Sequence, residues 1–139
     1  MARLYVETSA LLRGLLEGDA DLLGRFRDAE HRVTSAFTFV EAARAVGRAR
    51  REGRLAPQAA REAERWLAAF ERSCDVVALD DRIVRGAKAD MAVEPVRTLD
   101  ALHLATILML EEELGAIEVA SCDDRVRRNV EALGFRVVP

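Results

Sequence analysis

A chain of 139 residues, half of them apolar and 32% charged, has the length and composition of one globular domain with a full hydrophobic core rather than of a disordered segment. A net charge of −3 argues against a protein that coats nucleic acid indiscriminately. No apolar run approaches the roughly 20 residues that span a bilayer, and Glu7, Arg13 and Glu17 break up the apolar residues a signal peptide would need, so a soluble cytoplasmic protein is expected.

In chain order, Leu4-Tyr5-Val6 reads as a buried strand, and a helix follows from about Thr8 to Glu17. Asp19 to Glu30 is a second helix, with Leu22, Leu23 and Phe26 on one face. His31 to Ser35 is a short strand, and a long helix then runs to about Glu52, where Gly53 signals its C-cap. Pro57 starts a fourth helix with an apolar stripe of Ala63, Trp66, Leu67 and Phe70, which reads as core or dimer interface. Asp75 to Leu79 is a third strand and Asp81 to Asp90 a short helix. After Pro95, Thr98 caps a helix that runs to about Leu114. Glu118 to Cys122, Asp123 to Leu133 and Phe135 to Val138 complete the pattern as strand, helix and strand.

Strands alternating with helices predict an α/β fold of three layers, α/β/α, around a mostly parallel, roughly five-stranded twisted sheet. The whole chain, 1–139, reads as a single domain, with no linker composition or internal repeat. Cys74 and Cys122 are far apart and lack a CxxC pair, which excludes a disulfide scaffold and argues against structural zinc. Lys88 is the only lysine; the arginine excess suits phosphate pairing but is better explained by a GC-rich coding sequence.

Ligand crevices in such sheets lie at the carboxyl ends of the strands, near a switch in strand order. Four acids recur there: Glu7 directly after the first strand, Glu41 in the helix after the second, Asp100 at the start of the helix near Thr98, and Asp123 after the fourth strand. Packed carboxylates repel one another unless a cation neutralises them. Hard oxygen ligands without clustered His or Cys favour Mg²⁺ or Mn²⁺ over Zn²⁺. Each acid also has a purely structural explanation. Glu7, Asp100 and Asp123 sit at helix starts, where acids offset the macrodipole, and Thr38-x-x-Glu41 matches a capping box. Convergence of all four at one sheet edge is what capping alone does not require.

The segments around these acids resemble the PIN-domain family. Leu4-Tyr5-Val6-Glu7-Thr8-Ser9-Ala10-Leu11-Leu12 is similar to its first motif, and Thr38-Phe39-Val40-Glu41 to its second. Arg97-Thr98-Leu99-Asp100-Ala101-Leu102-His103-Leu104-Ala105-Thr106 is similar to the third, and Ser121-Cys122-Asp123-Asp124-Arg125-Val126 to the fourth. The chain length resembles that of free-standing VapC-like toxins. The resemblance implies an Mg²⁺- or Mn²⁺-dependent endoribonuclease, homodimeric and held inactive by a small antitoxin. That partner commonly carries a DNA-binding domain and a tail that inserts at the active site. It implies further that Glu7, Glu41, Asp100 and Asp123 hold the metal, that Glu41, Asp100 and Asp123 are catalytic, and that the hydroxyls of Ser9 and Ser121 support the site. Asp124 is a neighbouring alternative to Asp123, although its one-residue offset is expected to turn it toward solvent. The family's first acid is normally Asp, and here it is Glu7.

Arg44, Arg48 and Arg51 share one face of the third helix, which suits an RNA or antitoxin contact and equally a solvated face near a helix C-terminus. His103 reads as a partly buried packing residue rather than a general base. A phospho-receiver domain would need a lysine near the last strands, and a HAD-type phosphatase would need Asp-x-Asp after the first. The remaining alternative is a catalytically weakened scaffold that binds RNA or antitoxin without cutting, with Glu7 as the reason.

Overall fold

A computed structural model of the chain describes residues 3–139. Along its first strand, β1 (Arg3–Val6), Leu4 and Val6 face one side of the sheet and Tyr5 the other, the period-two alternation of a strand buried on both faces. In chain order there follow α1 (Thr8–Glu17), α2 (Ala20–Asp28), β2 (His31–Ser35), α3 (Ala36–Arg51), α4 (Pro57–Arg72) and β3 (Asp75–Val77). The remainder comprises α5 (Asp81–Ala87), α6 (Thr98–Leu114), β4 (Glu118–Ala120), α7 (Asp124–Ala132) and β5 (Arg136–Val138). The five strands form one sheet in the order β3-β2-β1-β4-β5, and every pair is parallel. The expected α/β architecture is therefore observed, with the sheet parallel throughout.

The two faces carry separate cores. Leu11, Leu22, Phe26, Val46, Leu67 and Phe70 from α1–α4 pack against Leu4 and Val6. On the other face Ile83, Leu104, Ile107, Val126 and Val130 from α5–α7 pack against Tyr5 and Val119. Helix α6 is apolar on nearly all sides through its first three turns, because it lies between α5, α7 and the sheet. Phe70 is core, and the half-buried Trp66 stacks on it with ring centroids 5.0 Å apart. Among the described residues, no helix is long and apolar enough to cross a membrane.

Several expected boundaries differ. Strand β3 stops at Val77 and β4 at Ala120, two residues early in each case, because their partners β2 and β1 turn into α3 and α1 just beyond and leave no ladder to extend. Helix α5 ends at Ala87 rather than Asp90. Helix α6 is capped from Arg97, not Thr98. Helix α3 begins at Ala36 with Ser35 as N-cap, accepting from the Phe37 N–H, so Thr38-x-x-Glu41 is not a capping box and Glu41 lies in the second turn.

Candidate active site

Strand order reverses at β1, which has β2 on one side and β4 on the other. Their carboxyl ends deliver Glu7, α3 and Asp123 to one edge of the sheet, and the N-terminus of α6 adds Asp100. Glu7, Thr8, Ser9, Glu41, Arg97, Asp100 and Asp123 all line one cavity of about 460 Å³ there. A concavity at the opposite end of the sheet also holds acids, but Arg3 and Arg25 accompany them.

Each of the four carboxylates has one oxygen tied to protein donors. The hydroxyls of Ser9 and Ser121 both donate to Glu7 Oε2, the latter at 2.9 Å. Thr8 Oγ1 donates to Glu41 Oε1 at 2.6 Å, and His103 Nε2 lies 2.9 Å from the same oxygen. Asp123 Oδ1 accepts from the Arg125 and Val126 N–H groups at 2.9 and 3.4 Å, as the N-cap of α7. Asp100 Oδ2 accepts from the Arg97 N–H at 3.2 Å. The second oxygens (Glu7 Oε1, Glu41 Oε2, Asp100 Oδ1, Asp123 Oδ2) accept no hydrogen bond among the described residues, Glu7 Oε1 having only His103 Nε2 at 3.8 Å. Capping and cation binding are thus compatible uses of one carboxylate, since a cap occupies a single oxygen. Glu7 itself stands at the N-cap position of α1 but makes no cap hydrogen bond, so its charge is not explained by the helix.

The electrostatics follow from burial. Glu7 is only 4% exposed, and desolvation pushes its pKa up against the opposing pull of His103 and the two serines. Burial also raises Asp100, helped by the nearby charge of Asp123 and opposed by the Arg97 N–H. Tyr5, fully buried, has its phenol pushed well above its usual value, first by burial and then by Glu7 and Glu41. Raised carboxyl values give a definite sign. The stability these groups contribute is fully present below their ordinary values (4.5 for Glu7, 3.8 for Asp100) and is lost as pH rises through the raised ones. We expect denaturant unfolding without divalent ions to favour Glu7→Gln over wild type increasingly as pH rises from 4 to 7. A difference that stays flat across that range would mean Glu7 titrates normally.

The donor set suits a hard cation, being carboxylate oxygen without thiolate, and the one histidine at the site has both ring nitrogens within hydrogen-bond reach of protein groups. Among the described residues no three His, Cys, Asp or Glu side chains are drawn together closely enough to form a ready cage.

Ser9 and Ser121 are brought to Glu7, and Asp124 is exposed, one residue off the pocket. Arg44, Arg48 and Arg51 are exposed on α3 and do not line the cavity; among the described residues they form no ion pair. The reading of His103 as partly buried packing is corrected: it is 1% exposed and bonded on both nitrogens. Thr8, Tyr5 and Arg97 were not singled out from the sequence. Thr8 and Arg97 sit next to or three residues from a site acid, a signal in principle, whereas the Tyr5–His103 contact spans 98 residues and has none.

A PIN-domain model matches residues 4–131. The ribonuclease VapC46 of Mycobacterium tuberculosis is 34% identical over 99% of this chain and 98% of its own length. Ribonuclease VapC35 of the same species is 32% identical over 97% and 95%. The DNA-bound VapBC structure from Salmonella typhimurium superposes with a TM-score of 0.67 at 15% identity, covering 99% of this chain and 98% of that one, which shows the shared fold. The chain belongs to the PIN-domain family and, within it, to the VapC group.

Proposed function

We propose that this protein is a divalent-metal-dependent endoribonuclease acting as the toxin of a toxin–antitoxin pair. The observation that carries the reading is the set of four carboxylates around one cavity, each held by one oxygen and offering the other. Glu7, Glu41, Asp100 and Asp123 would hold Mg²⁺ or Mn²⁺, one or two ions. When bound, the metal supplies an activated water and neutralises charge developing at a phosphodiester during in-line displacement. Ser9 and Ser121 fix Glu7, Thr8 fixes Glu41, and the α7 amides fix Asp123, so the ligating oxygens are aimed before the ion arrives. Arg97 lines the same cavity and provides a cation for the phosphate backbone.

Full-length likeness to two VapC ribonucleases supports RNA as substrate, and likeness of fold to VapBC structures supports a cognate antitoxin as protein partner. The reading extends to a cytoplasmic homodimer, with Arg44, Arg48 and Arg51 free to meet RNA or antitoxin. Glu7 in place of Asp does not by itself favour a scaffold that binds without cutting, because the two serine hydroxyls supply a fitted seat for the longer side chain.

Thermal unfolding with and without Mn²⁺ tests the metal site. At a hundredfold excess over its dissociation constant, a ligand specific for the folded state stabilises it by about 2.7 kcal/mol. That shift is expected in wild type and lost in Asp100→Asn. Equal responses in the two proteins would mean that Asp100 does not hold the metal. A Mn²⁺ shift without cleavage of any RNA would instead support the non-cutting scaffold.

A further inference from the structure

His103 lies beneath the cavity rather than in it, and its surroundings are specific. It is 1% exposed, with the Phe37 ring 4.4 Å away centroid to centroid and the Tyr5 ring edge-on at 5.8 Å. Tyr5 Oη is 2.7 Å from Nδ1. Nε2 is 2.9 Å from Glu41 Oε1 and 3.1 Å from Thr8 Oγ1.

The direction of these bonds follows from donor counting. A carboxylate only accepts, and the single Thr8 proton goes to Glu41 Oε1. Both neighbours of Nε2 therefore present lone pairs to it, and Nε2 must carry hydrogen. In the neutral imidazole Nδ1 is then bare and accepts from the Tyr5 hydroxyl. The chain runs one way, from Tyr5 O–H to His103 Nδ1 and from His103 Nε2–H to Glu41 Oε1, with Thr8 O–H reaching the same oxygen. Two donors on Oε1 leave Glu41 Oε2 as the oxygen without a protein partner among the described residues.

We propose that His103, oriented by Tyr5, is a positioning residue that clamps Glu41 through Oε1 and thereby makes Oε2 its single metal-facing oxygen. Helix α3 places Glu41 in its second turn and half-buried, where a glutamate has three side-chain torsions to restrain. Thr8 alone holds one oxygen but does not fix rotation about that bond; the imidazole, gripped by Tyr5 and Phe37, supplies the second point. The inference rests on the metal-site reading for its consequence, and on hydrogen bonding in the metal-free protein for its geometry.

Two measurements on the full chain separate these parts. In the metal-free protein, ring ¹⁵N shifts of His103, distinguished from the exposed His31 by loss in His103→Gln, should show hydrogen on Nε2. The Nε2–H resonance should move in Glu41→Gln and be unaffected in Asp100→Asn. Mn²⁺ affinity, read directly by titration, should fall ten- to a hundredfold in His103→Leu. It should be largely retained in His103→Gln, whose amide offers a donor at the place of Nε2, while Tyr5→Phe should fall between them. Cleavage by His103→Leu should lose kcat with little change in KM, since the RNA does not touch the buried ring. Hydrogen on Nδ1 alone, or wild-type Mn²⁺ affinity in a folded His103→Leu protein, overturns the proposal. A wild type that binds no Mn²⁺ yet shows the expected Nε2 signature and its response to Glu41→Gln refutes the metal reading and leaves the clamp in place.

Discussion

Shortening Glu7 to aspartate should weaken the enzyme even though aspartate is the usual residue of PIN-domain proteins at that position. Glu7 Oε2 sits between the hydroxyls of Ser9 and Ser121, and Oε1 is left for the cavity. Removing one methylene withdraws the carboxylate by about one bond length, roughly 1.5 Å. A hydrogen bond at 2.9 Å does not survive that displacement without movement of β1 or β4. Hydrogen bonds to charged groups contribute about 1.5–3 kcal/mol each, so Glu7→Asp is expected to lose about tenfold or more in RNA cleavage, with weaker Mn²⁺ binding. Glu7→Gln keeps the length and removes the charge, and should lose at least about a hundredfold, or 2.7 kcal/mol of transition-state stabilisation. Cleavage rates of the three proteins, each at saturating Mn²⁺, give the order wild type, Asp, Gln. Higher activity in Glu7→Asp would show that the serine seat does not set the position of this ligand.

The largest effect on stability is expected along α6, where Leu104 and Leu99 lie five residues apart in opposite environments. Leu104 is fully buried in the core between α6, α5 and β1, whereas Leu99 is 45% exposed beside the cavity. Leu104→Ala removes apolar contacts and leaves a void that close-packed neighbours fill only partly, at a cost of about 2–5 kcal/mol. That corresponds to a fall in Tm of roughly 10 °C for a chain of this size. Leu99→Ala should stay within about 0.5 kcal/mol of wild type. Denaturant midpoints with unchanged slope would check both. A mild Leu104→Ala effect would mean that the second core, on the α5–α7 face, is loosely packed.

Much of the protein was legible in its sequence, because the physics involved is local. Period two in Leu4-Tyr5-Val6 and the helical spacing of Ala63, Leu67 and Phe70 follow from backbone geometry, and strand–helix alternation dictates a parallel sheet. Glu7 and Asp123 could be singled out because residues just after parallel strands share one edge whatever the strand order, and Glu41 and Asp100 because they lie in the first two turns of helices. Helix starts were less legible. At α3 both Ser35 and Thr38 are plausible caps, and only the length of the β2 ladder selects Ser35.

Sequence alone therefore determined the fold class, the family resemblance and the identity of the candidate ligands. Tertiary structure decided how those ligands are held: Ser121 on Glu7 across 114 positions, Thr8 and His103 on Glu41 across 33 and 62, and Tyr5 behind His103 across 98. Those contacts depend on strand order, since β4 and the α6 start reach β1 only because the sheet reverses there. Long-range hydrogen bonding leaves no periodicity in the chain, so a buried histidine among leucines looks the same whether it fills space or aims a carboxylate. Donor geometry, available only in the folded protein, makes that distinction.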